Sequence, residues 1–191
     1  MPARAVVKRA AHRVDAYART MENSHNRPGL SRVEPGPGQE SVWDYPRPPR
    51  VEPTAERIVV TLGGTVIADT TDAVRVLETS HPPVYYLPRS AFVDGSLAPA
   101  VGSSFCEYKG AAKYLSVVTQ DATAERSAWY YPSPSPGFEA LADRVAVYPS
   151  AMDSCQVAGE TVQAQAGDFY GGWITSRVVG PFKGAPGTAG W

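Results

Sequence analysis

The sequence predicts a mostly β protein, an antiparallel sandwich or open barrel with one short helix and an extended arm at each end. Three observations lead there. Between Glu56 and Gln165, short runs rich in β-branched and aromatic residues recur, separated by glycine, proline and small polar residues. That is the composition of strands and their turns. From Asn26 to Pro53 proline and glycine are so dense that neither a helix nor a central strand propagates. Finally, 191 residues suit one domain with a sizeable core and some additional chain rather than two full domains.

Taken in order, the first twenty residues carry Arg4, Lys8, Arg9, Arg13 and Arg19 against a single acid, Asp15. The composition resembles a transit peptide, but Met21 opens "MENSHNRPG" and reads as a natural start, leaving residues 1–20 as an upstream extension able to form at most a marginal helix. Residues 1–40 are expected to be poorly ordered. Residues 41–55, "SVWDYPRPPRVEPTA", combine Trp43 and Tyr45 with prolines that favour polyproline II. This arm either docks in another protein's aromatic groove or covers the chain's own core, and the second reading avoids leaving two large aromatics in water.

Residues 56–165 form the core domain. In "RIVVTLGGTVIADT" two β-branched runs flank Gly63 and Gly64, and glycine supplies the positive φ of a tight hairpin turn. Further strands are expected at "VRVLET", "VYYL", "SFCEY", "KYLSVVT", "SAWYYP" and "RVAVYP", with "GETVQ" weaker. The short helix falls at "GFEALADR", where Phe138 and Leu141 share a face and the preceding prolines mark a start. Residues 166–191 are a glycine- and proline-rich arm that Phe182 and Trp191 are expected to anchor to the sheet.

The charges nearly cancel, 18 Lys and Arg against 19 Asp and Glu, so no field favours nucleic acid or an anionic membrane as partner. No apolar run approaches the ~18 residues of a membrane span, and no secretory h-region follows the first charges. The expected compartment is the cytoplasm, with Cys106 and Cys155 as reduced thiols, although a pairing between them stays open. A small-molecule ligand is the favoured partner, and a homo-oligomer is also open. No cofactor is identified.

The stretch "FCEYKG" concentrates reactive side chains. Period-two alternation puts Cys106 and Tyr108 on one face and Phe105 and Glu107 on the other. Cys106 is then either a small core residue or a cleft thiol beside Lys109 and His81, which would favour the thiolate. Glu78, after the strand "VRVL", either caps the turn before Pro82 and Pro83 or stands at a cleft mouth with His81, Tyr85 and Tyr86, where desolvation would raise its pKa. Trp129 and Tyr131 share a face and serve either as core or, with Tyr114, as an aromatic ligand wall. The Lys109-Gly110 turn is expected at the solvent edge of the main pocket, its amine reaching a ligand while Gly110 admits close approach.

Several common sites fail on residue types. "GPFKGAPGT" lacks the Lys-Ser/Thr and following helix of a phosphate-binding loop. Two cysteines and three histidines, two of the latter (His12 and His25) outside the core, do not suggest a zinc site. No metal is therefore assigned.

The combination of "TSHPPVYYLP", "CEYKGAAKY", "AWYYPSPSPGF", "VAVYPS" and "FYGGW…VGPFKGAPGTAGW" resembles the family called domain of unknown function 427, also labelled nucleotidyltransferase-like. The likeness spans roughly residues 41–191, and shorter relatives resemble only about 57–150. It implies a compact β domain, associated with the β-tent architecture, and no established reaction. Zinc-bearing relatives on that architecture use paired Cys-x-x-Cys knuckles that this sequence lacks. The nucleotidyltransferase label would require clustered carboxylates for magnesium, whereas Asp69 and Asp72 flank "TT" in what reads as a turn.

Two functional classes remain. One is an enzyme acting on a small organic substrate, with Cys106 as nucleophile, Lys109 as electrostatic stabiliser and Glu78 or His81 as acid/base. The other is a non-catalytic module whose tyrosine- and tryptophan-lined groove holds a small ligand or a partner's extended segment. A small-molecule pocket without a commitment to turnover is favoured. Convergence of Glu78, Cys106 and Lys109 discriminates the two.

Overall fold

The computed structural model describes residues 31–191 except residue 168. The marginal helix, the start at Met21 and most of the extension expected to be poorly ordered lie outside the described residues. The unit Val33–Trp191 is mostly β, with several antiparallel sheets and no closed barrel among the described residues.

Its strands are β1 (Glu40–Ser41), β2 (Arg50–Thr54), β3 (Ile58–Leu62), β4 (Thr65–Thr70), β5 (Ala73–Leu77), β6 (Val84–Pro88), β7 (Leu97–Cys106) and β8 (Gly110–Val118). They continue as β9 (Thr123–Tyr130), β10 (Arg144–Val147), β11 (Ser154–Val157), β12 (Glu160–Thr161), β13 (Gln163–Ala164), β14 (Trp173–Ile174) and β15 (Val178–Val179). A seven-stranded sheet runs β2-β5-β6-β10-β9-β8-β7, and a four-stranded sheet runs β12-β11-β3-β4. All neighbours within these two sheets are antiparallel.

The β3–β4 hairpin turns at Gly63 and Gly64, whose φ values of 58° and 71° are those of a type I′ connection. The expected short helix is a single 3-10 turn, Glu139–Leu141. Phe138 and Leu141 are both buried, as their spacing required, but the backbone leaves the helical path at Ala142, at φ −58° and ψ 136°, before a second turn can form.

Period-two alternation divides the seven-stranded sheet into two apolar faces. Tyr85, Leu87, Leu115, Val117, Ala128, Val145 and Val147 pack against Ile58, Val60, Cys155 and Val157 of the smaller sheet, closing the main core. Each of those aliphatic side chains contributes on the order of 1.5–3 kcal/mol by leaving water. The opposite face carries Val74, Val76, Tyr86, Ala112, Trp129, Tyr131 and Ala146, with Phe138 and Leu141 packed at one side. This second face is the floor of the cleft described below.

β2 lies in a segment whose prolines exclude a helix or a central strand. It is an edge strand, paired only with β5, the position in which a sheet tolerates Pro53. Residues 33–40 are bonded to the C-terminal arm at both ends. Val33 N–H donates to the Gly180 carbonyl, Glu40 N–H to that of Arg177, and β1 pairs in parallel with β15. The two proline- and glycine-rich arms thus satisfy one another's backbone. Among the described residues no helix is long and apolar enough to cross a membrane.

Candidate functional site

The β5–β6 connection sets one wall. It folds back at Ser80, held at φ 70°, with the His81 N–H donating to the Glu78 carbonyl at 3.0 Å. The backbone of Glu78 therefore closes the turn while its side chain projects between two cations. Its carboxylate lies 3.4 Å from Arg47 and 3.8 Å from Lys109.

The β7–β8 hairpin supplies the facing wall. Cys106 pairs with Gly110 across the loop Glu107–Lys109. Gly110 adopts φ 95°, and a Cβ there would sit 3.1 Å from Ser135 Oγ, so the turn that carries Lys109 needs glycine twice over. Lys109 is corrected from a solvent-edge residue to a buried one at 9% exposure. Its backbone carbonyl accepts from Ser135 N–H, which draws the loop down onto the chain following β9. Phe105 is the outward residue at 75% exposure. Cys106 is half-buried on the inward face and unpaired.

Between these walls is a cavity of about 490 Å³. Tyr86, Trp129 and Tyr131 form its floor, Tyr114 and Tyr148 one side, and Arg47, Tyr170 and Lys183 enter from the two arms. The floor is hydrogen-bonded: Trp129 Nε1 donates to the Tyr86 hydroxyl at 3.1 Å. Burial holds the Tyr86 and Tyr131 phenols well above the ordinary range, and burial beside Tyr114 pushes Tyr148 up to about 12. All are protonated at neutral pH. His81 stacks edge-on against Tyr170, centroids 4.6 Å apart, and its Nδ1 lies 2.9 Å from the Thr79 carbonyl. Burial lowers its pKa more than the neighbouring Glu78 raises it, so the ring is neutral and Nδ1 carries the donated proton.

Of the sequence-selected residues, Glu78, His81, Tyr86, Cys106, Lys109, Tyr114, Trp129 and Tyr131 all line this one cavity. Tyr85 does not. Adjacent residues on a strand point to opposite faces, and Tyr85 lies in the main core against Trp173, centroids 5.1 Å apart, where burial pushes its phenol up to about 12. Sequence reasoning missed Arg47, Tyr148, Tyr170 and Lys183. Tyr148 was within reach, since it is two residues beyond Ala146 on the cleft face, but the other three depend on how the arms return across the sheet.

A second cavity of about 430 Å³ is lined by Glu40, Glu52, Glu56, Arg75 and Arg177 with Tyr85. Its charges are committed to one another, Arg75 to Glu40 and Glu52, and Arg177 to Glu56. Asp69 and Asp72, the carboxylates weighed for a metal, are engaged by Arg57 and Arg144.

No curated protein matches the chain. The model of the family described as domain of unknown function 427 matches residues 50–158, which run from β2 through β11 and include the walls and floor of the cleft but neither residues 41–49 of the first arm nor the C-terminal arm. On that match the chain belongs to the domain of unknown function 427 family.

Proposed function

We propose that the cleft is a small-molecule binding site, in which a flat, largely apolar ligand lies over Tyr86, Trp129 and Tyr131 while a polar group meets Lys109. The observation that carries this reading is the state of Lys109. The residue is only 9% exposed, its nearest counter-charge is 3.8 Å away, beyond hydrogen-bond reach, and its Nζ makes no hydrogen bond among the described residues and is not enclosed by protein. Its three N–H donors at the cavity wall therefore have only solvent as acceptor. A bound molecule with an accepting group would replace that solvent.

The cavity volume of about 490 Å³ lies in the range typical of small-ligand sites, which favours a small molecule over an extended peptide. Glu78, Lys109 and Cys106 share the cavity, the arrangement that turnover would also require, but binding alone explains the unbonded amine.

The test is a fragment screen by ligand-observed NMR, run on the native protein and on protein whose Cys106 has been capped with N-ethylmaleimide, together with native mass spectrometry for a copurified molecule. Fragments should bind, and the maleimide, standing in the cleft, should abolish their binding. A screen without hits, or hits unaffected by the cap, would overturn the reading.

A further inference from the structure

The ring of His81 stands in the cavity wall with its two nitrogens in different situations. Nδ1 lies 2.9 Å from the Thr79 carbonyl, an oxygen that can only accept. Nδ1 therefore carries the proton of the neutral ring, and the backbone, not a ligand, sets the tautomer. The same carbonyl takes a second bond from Arg47 Nη2 at 3.1 Å, which uses both of its lone pairs. Tyr170 packs edge-on with its centroid 4.6 Å away and holds the plane of the imidazole. Turning the ring over would break the Thr79 bond and point a lone pair at a carbonyl oxygen.

Nε2 is left with its lone pair. It makes no hydrogen bond among the described residues and is not enclosed by protein, and the residue lines the cavity although only 7% of it is exposed. Burial disfavours the imidazolium, so the lone pair persists at neutral pH. A nitrogen of this kind accepts and cannot donate. The other polar groups of the cavity differ from it. The Glu78 carboxylate is already shared by Arg47 and Lys109, Glu107 is exposed on the hairpin loop, and the tyrosine hydroxyls can donate as well as accept.

From this we infer that the cleft selects flat molecules bearing an O–H or N–H donor, phenols and N–H heteroaromatics foremost, and that His81 Nε2 is the specificity-determining acceptor for that group. Lys109 offers donors and His81 an acceptor at the same cavity, a combination that a hydroxyl satisfies and an ether does not. The inference rests on the reading of the cleft as a small-molecule site and names the chemistry of its ligand.

It is tested with two probes of one shape, 2-naphthol and its methyl ether 2-methoxynaphthalene, titrated at pH 7 into the wild type and His81→Asn, with the maleimide-capped protein as the control that places binding in the cleft. In the wild type, naphthol should bind at least about fivefold more tightly than the ether, the worth of one net hydrogen bond. His81→Asn keeps a donor for the Thr79 carbonyl but lacks the outward lone pair, so it should bring naphthol down to the affinity of the ether and leave the ether unchanged. Cleft binding in which the ether matches naphthol in the wild type, or a preference for naphthol that survives in His81→Asn, would overturn the inference while leaving the small-molecule reading intact. Failure of both probes to bind would overturn both. The wild-type comparison decides the matter even if the variant does not fold.

Discussion

The rings of Trp43 and Trp191 meet edge to face, centroids 5.7 Å apart and planes inclined at 61°. Trp43 Nε1 also donates to the Pro181 carbonyl at 2.8 Å, so one indole fastens the N-terminal arm to the C-terminal one. Trp43 is buried and Trp191 only half so. Trp43→Ala should therefore cost about 3–5 kcal/mol, lowering Tm by roughly 10 °C for a domain of this size. Trp191→Ala should cost about 1–2 kcal/mol, chiefly the aromatic contact. Thermal melts followed by circular dichroism check both. Equal and small effects would mean that the arms do not stabilise the sheet.

The Glu78–Lys109 pair predicts an asymmetric pair of mutants. Glu78→Gln leaves the Lys109 ammonium without its counter-charge and should destabilise by about 1 kcal/mol, less than for a fully enclosed pair because both groups are partly solvated. Lys109→Met removes the amine that lacks an acceptor and leaves Glu78 to Arg47, so it should be nearly neutral. The double variant should recover most of the loss seen in Glu78→Gln. Denaturant titrations of the three proteins decide it, and a double variant no more stable than Glu78→Gln alone would show that the pair is not coupled.

His81 gives stability a pH dependence whose sign follows from its burial. Its folded-state pKa lies below the ordinary imidazole value of 6.5, so between the folded and unfolded values the unfolded chain binds the extra proton. The contribution of the neutral ring is intact above 6.5 and is lost as pH falls through the folded value. Tm should drop from pH 7 into the acid range more steeply for the wild type than for His81→Asn, in which the side-chain amide preserves a donor to the Thr79 carbonyl without a titrating group. Parallel profiles would place the acid sensitivity elsewhere.

Local chemistry made the β core legible and long-range return of the chain did not. The Gly63-Gly64 hairpin, the alternation of Trp129 with Tyr131, and the placement of Lys109 before a glycine turn are each set by a few adjacent residues, so pattern and turn propensity suffice to find them. Tyr85 and Tyr86 show where the limit begins: alternation guarantees that the two separate, but which of them faces the cleft depends on where the smaller sheet packs. Lys183, Tyr170 and Arg47 lie beyond that limit. Their arms carry no period and acquire their paths from bonds to one another, such as Trp43 to Pro181. The burial of Lys109 was likewise hidden, because it depends on Ser135 binding its carbonyl from a segment with no hydrophobic pattern.

The two thiols should separate cleanly in reactivity. Cys155 is 1% exposed in the main core, and burial pushes its pKa up to about 12, so at pH 7 it is neither accessible nor ionised. Cys106 is half-buried and lines the cleft. Native protein treated with iodoacetamide should gain one adduct by intact mass, Cys106→Ser should gain none, and denaturation should expose the second site. Cys155→Ser places a hydroxyl between β3 and the main core and should cost about 1–3 kcal/mol, whereas Cys106→Ser should leave Tm nearly unchanged. With a turnover assay for any cleft ligand in hand, the same variant distinguishes the two functional classes: loss of turnover with binding retained marks Cys106 as a nucleophile. No adduct on native protein, or a marked loss of stability in Cys106→Ser, would instead show that Cys106 is a packing residue.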